Sequence, residues 1–125
     1  MPEGVTILVV EDDEDIRLTV AEILRDNGYQ VDTAIHGADA LGKLEHTRPR
    51  LMLLDLMMPV MDGVTLLQQI VGRPELRSIP VVVFTAHDKP VEVPSEMVVG
   101  TLRKPISMKE LLRVVERSVT RDQTP

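Results

Sequence analysis

Apolar positions along this chain follow two rhythms. Thr6 to Val10, Leu51 to Leu54, Ile79 to Phe84 and Val98 to Leu102 are short runs of aliphatic and β-branched residues, and Gln30 to Ala34 reads as a further short strand. Continuous apolar runs of this length suit strands buried on both faces, as in a parallel sheet. Between them the spacing changes to that of helices. From Asp13 onward Ile16, Val20, Ile23 and Leu24 share one helical face, and Asn27 with Gly28 can close it. Ala38 to Leu44 predicts a short helix with Ala40, Leu41 and Leu44 inward, and Pro49 forbids its continuation. Val64, Leu67, Ile70 and Val71 mark another helix, broken at Arg73-Pro74. A last helix should run from Met108 to about Val119, opened by Ser107 and Glu110 at capping-box spacing.

The order βαβαβαβ(α)βα with short connections predicts an α/β fold, a parallel sheet covered on both faces, because each parallel crossover normally contains a helix. With 125 residues the chain is long enough for one core and too short for two ordinary domains. Residues 4–120 are read as the domain and 121–125 as a tail or the start of a linker.

Charge and composition narrow the function. The formal net charge is -6, and Lys and Arg form no basic stripe of the kind that phosphate backbones require, so direct nucleic-acid binding is not expected. Only Tyr29 and Phe84 are aromatic, which leaves no platform for stacking bases. There is no Cys, hence no disulfide, thiolate metal site or cysteine nucleophile. The apolar run Val5 to Val10 is too short for a signal core or membrane span, and a cytoplasmic location without membrane association is the expectation. No phosphate-binding glycine loop occurs, which argues against a nucleotide enzyme.

The chemistry gathers where the strands end. In open α/β sheets ligands bind outside the carboxyl ends of the strands. There Glu11, Asp12 and Asp13 leave the first strand, Asp55 the third, Thr85 the fourth and Lys104 the fifth. Clustered carboxylates repel unless a cation or protons neutralise them, and Mg²⁺, for which Mn²⁺ could substitute, suits one or two carboxylates with phosphate oxygens. Asp55 would then be a carboxylate nucleophile toward phosphorus, with Lys104 supplying a point charge and Thr85 a hydroxyl to the phosphoryl oxygens. Taken singly, each residue has a plainer use: Asp at a strand end usually serves a turn, and Asp13 and Glu14 favour a helix dipole. Agreement across four strand ends is what raises the reading above those uses.

The segments ILVVEDDEDIR, LMLLDLMMPVMDG, VVVFTA and LRKPI give the chain a close resemblance to the receiver domains of two-component response regulators, over essentially its whole length. The resemblance implies a flavodoxin-like, five-stranded sheet in the order 2-1-3-4-5 and phosphorylation at Asp55. It also implies a metal held by Asp12, by Asp55, by Glu11 through water and by the backbone carbonyl of Met57. Phosphoryl contacts would come from Thr85, Lys104 and the backbone of Ala86, and the Lys104-Pro105 bond would be cis. A histidine kinase or phosphotransfer protein would be the donor, and a downstream protein target or output domain the recipient of the signal. Catalysis would be limited to self-phosphorylation and self-dephosphorylation, with no external metabolite.

Two departures stand out. Thr101 occupies the switch position where the family usually places an aromatic residue, so the common relay from Thr85 to an aromatic ring cannot operate in that form. Thr85 and Lys104 are 19 positions apart, a few fewer than is usual, and the segment between them holds Pro90 and Pro94. A shortened, displaced or absent fourth helix over 88–98 is therefore expected. The apolar Met57 suggests slow dephosphorylation, whereas His87 reads as a surface histidine. These departures leave an alternative, a receiver-like interaction module independent of phosphorylation. A metal-dependent phosphohydrolase is a further rival, opposed by the lack of a second acid two positions after Asp55.

Overall fold

The computed structural model describes residues 6–56, 63–76, 78–85 and 97–123. Five strands, β1 (Thr6–Val10), β2 (Gln30–Ala34), β3 (Leu51–Asp55), β4 (Val81–Thr85) and β5 (Val98–Arg103), form one sheet. Its order is β2-β1-β3-β4-β5 and every pairing is parallel, as expected of the flavodoxin-like arrangement. The helices are α1 (Glu14–Asp26), α2 (Gly37–Leu44), α3 (Gly63–Val71) and α4 (Met108–Gln123).

Strand alternation divides the core in two. Leu8, Val10, Met52, Leu54, Val81 and Val83 face one side, where Ala40 and Leu44 of α2 and Leu66, Leu67 and Ile70 of α3 meet them. Ile7, Val9, Leu51, Leu53, Val82, Phe84 and Leu102 face the other, against Val20 and Leu24 of α1 and Leu111, Val114 and Val115 of α4. All residues of β3 are buried, as befits the central strand, whereas the edge strands β2 and β5 are half covered.

Local chemistry sets the helix ends. The Asp13 side chain accepts from the Ile16 amide at 3.0 Å and caps α1, where the sequence suggested a helix-dipole role. Gly28 turns the chain away at φ 93°, in the left-handed region that favours glycine. Ser107 Oγ accepts from the Glu110 amide at 3.3 Å and opens α4.

Several boundaries differ from expectation by a residue or more. β4 starts at Val81 rather than Ile79, because Pro80 has no amide to give to the ladder and the Ile79 amide already closes a turn onto the Leu76 carbonyl. β3 ends at Asp55, where the strand was expected to end. α4 continues to Gln123, past the expected Val119, because no Gly or Pro interrupts Thr120 to Gln123; residues 121–123, set aside as tail, thus continue the helix. The expected irregularity of the fourth helix falls on 88–98, most of which lies outside the described residues. Met97 is buried, and its carbonyl accepts from the Val81 amide at 2.8 Å. Among the described residues no helix is long and apolar enough to cross a membrane.

Candidate functional site

The site lies at the carboxyl end of the sheet, where β1 and β3 stand side by side with Val10 opposite Leu54. The next residue on β1 is Glu11, fully buried, whose amide donates to the Ala34 carbonyl at 3.0 Å and extends the pairing toward β2. Asp12 turns outward and is exposed, and Asp55, the last residue of β3, is 1% exposed. One carboxylate oxygen from each of Glu11, Asp12 and Asp55 lies within 4.8 Å of the other two.

Lys104, just beyond β5, reaches back over this cluster. Its Nζ is 3.0 Å from Glu11 Oε1 and donates to Asp55 Oδ2 at 3.3 Å. Its ammonium also stands 5.5 Å from the centre of the Phe84 ring. The Lys104-Pro105 bond is cis, as the resemblance implied.

Two interactions hold the acidic loop. Glu11 Oε2 accepts from the Asp13 amide at 2.9 Å, and Arg17 donates to the Glu11 carbonyl at 3.0 Å and the Asp12 carbonyl at 3.4 Å. Glu11 Oε1 has no hydrogen bond of good geometry, so its contact with Lys104 is ionic and the oxygen keeps unused acceptor capacity.

Burial pushes the Glu11 carboxyl up to about 7; the Asp13 amide and Lys104 pull against that, while Asp55 adds to it. Partial burial disfavours charge on Lys104, yet Glu11 and Asp55 outweigh it and the ammonium titrates above its ordinary value. An all-oxygen donor set with an unsatisfied buried carboxylate oxygen fits a hard dication such as Mg²⁺.

Of the residues singled out in the sequence, the fold brings together Glu11, Asp12, Asp55 and Lys104. Thr85 ends β4 opposite Arg103, and Thr101 is an exposed residue of β5 paired with Val83. Met57, Ala86 and His87 lie outside the described residues. Phe84 and Arg17 were not singled out. A signal for Arg17 was its place in the first turn after the acidic run. For Phe84 it was the occurrence of the chain's only phenylalanine one position before a polar strand end.

The sequence family described as the response regulator receiver domain matches residues 7–116. Protein PilG of Pseudomonas aeruginosa is 33% identical over 120 residues, covering 94% of this chain and 89% of PilG. Response regulator MprA of Mycobacterium tuberculosis is 37% identical over 112 residues, 87% of this chain, which spans about half (48%) of MprA. In three dimensions the chain resembles the chemotaxis response regulator CheY4 of Vibrio cholerae, with a TM-score of 0.81 at 28% identity, covering 91% of this chain and 98% of CheY4.

Proposed function

The chain belongs to the receiver domain family of response regulators, signalling modules without an external substrate, and from that membership we propose that Asp55 is its phosphoacceptor. The phosphoryl group comes from a histidine kinase or phosphotransfer protein, and the phosphorylated chain binds a downstream protein target or output domain with altered affinity. One observation carries this reading: a buried carboxylate at the end of the central strand, grouped with two more acids and touched by a lysine ammonium.

Each residue has a definable part. An Asp55 carboxylate oxygen attacks phosphorus; a P–O bond forms as the P–N bond to the donor histidine breaks, and the departing electron pair stays on the imidazole, which takes up a proton. Asp12, Asp55, the Met57 carbonyl and, through water, Glu11 would hold Mg²⁺, or Mn²⁺ in its place. When bound, the cation offsets the negative charge of the acids and of the phosphoryl oxygens. Lys104 donates to a phosphoryl oxygen, and the Thr85 hydroxyl and the Ala86 amide serve the others. Arg17 keeps the acidic loop in place through the carbonyls of Glu11 and Asp12.

The test is intact-protein mass after incubation with acetyl phosphate, with Mg²⁺ or with chelator, for wild type and Asp55→Asn. A single adduct of about 80 Da that requires both the metal and Asp55 is expected for an aspartyl phosphate. No adduct under conditions that label an ordinary receiver would instead favour the phosphorylation-independent module, whose partner binding Asp55→Asn would leave unchanged.

A further inference from the structure

A lysine ammonium on a four-carbon stem has many rotamers, and a site that depends on its position must restrict them. Glu11 and Asp55 attract Lys104 in the present state, but both are groups whose charge is drawn elsewhere once a cation or a phosphoryl group arrives. Phe84 is different. It is the register partner of Asp55 across β3 and β4, so the two side chains sit next to each other on the same face of the sheet. Its ring is 1% exposed and belongs to the cluster that includes Leu102 of β5 and Leu111 and Val115 of α4, which fixes its place. The Lys104 ammonium lies 5.5 Å from the ring centre, within the roughly 6 Å over which a cation is drawn to the negative face of an aromatic ring.

We propose that the Phe84 ring is a positioning residue for Lys104, holding the ammonium over Asp55 by a cation–π contact that neither metal nor phosphate can titrate or displace. The proposal rests on the phosphoacceptor reading of Asp55 and deepens it. The ring carries no acid, base or nucleophile. It acts through Lys104, and it links that lysine to the face built by α1 and α4, on the other side of β5 from Thr101. The chain thus has an aromatic contact to a site residue even though its switch position carries none.

Because Phe84 is the only phenylalanine, growth on fluorinated phenylalanines alters this ring alone. Fluorine withdraws density from the ring face while leaving its size nearly unchanged. Across mono-, di- and trifluorinated rings, the rate of Mg²⁺-dependent labelling by acetyl phosphate should fall stepwise, to about a third to a tenth of wild type at three fluorines, as expected for loss of a partly desolvated cation–π contact. The thermal midpoint should stay nearly constant, which a merely packing role would also give, but the stepwise rate would not follow from packing. The fluorine resonance of the monofluorinated protein should also shift in Lys104→Met. Equal rates along the series with normal labelling of the unfluorinated protein, or a resonance indifferent to Lys104→Met, would overturn the positioning role. Failure of the unfluorinated protein to label would instead overturn the phosphoacceptor reading itself.

Discussion

The Glu11 carboxyl, held up to about 7 chiefly by burial, makes the metal-free fold sensitive to pH in a definite direction. Between its ordinary value of 4.5 and about 7 the folded chain keeps a proton that the unfolded chain has released. Stability from this group is therefore complete below about 4.5 and is lost as pH rises through 7, on the order of a few kcal/mol at roughly 1.4 kcal/mol per pKa unit. Urea denaturation in chelator at a series of pH values should show this decline, and Glu11→Gln should flatten it. Bound Mg²⁺ favours the ionised acid, so added metal should also flatten the slope. The identity of the acids and of Lys104 was legible from their places at strand ends. The burial of Glu11 and the ring beneath Lys104 were not, because they depend on which face each side chain takes and on how closely neighbouring strands bring side chains far apart in sequence.

Elements were legible where period and punctuation agreed. The α1 face and its Gly28 exit could both be read from residue type and spacing, since each depends on neighbours within a few positions. The start of β4 was less so: Ile79 looks like a strand residue, and only the competing turn onto Leu76 takes it out of the ladder. The register shift between Val81 and Val82 also left no mark in the sequence pattern, because it is a property of the β4–β5 pairing rather than of either strand. Gly100 sits just past that shift, and a Cβ built there would meet Val114 Cγ1 of α4 at 3.3 Å. A branched side chain would push α4 off the sheet edge, so Gly100→Val is expected to cost about 1–3 kcal/mol by overpacking. Chemical denaturation would measure it; an unchanged midpoint would mean that α4 can yield at no cost.

At the scale of the molecule, two apolar layers and one sheet put stability in the interior and leave the chemistry at one rim. A ligand at that rim stabilises the whole fold by mass action. If the acids bind Mg²⁺, metal at a hundred times its dissociation constant should add about 2.7 kcal/mol. Scanning calorimetry should therefore show a midpoint that rises with Mg²⁺, returns with chelator and barely moves in Asp12→Ala. The sheet order was legible through the receiver resemblance, and the local patterns alone supplied only a parallel α/β arrangement. Lys104 and Asp55, in contact at 3.3 Å, are 49 positions apart in sequence. A chain emerging from the ribosome therefore displays all three acids well before the lysine that answers them. The first half of the molecule is made with its charges unbalanced, and the arrival of β5 completes the sheet and delivers that lysine in one event. A chain cut short before that point would carry Asp55 without the ammonium, and on the proposed phosphoacceptor reading such fragments would be poorly fitted to take up a phosphoryl group.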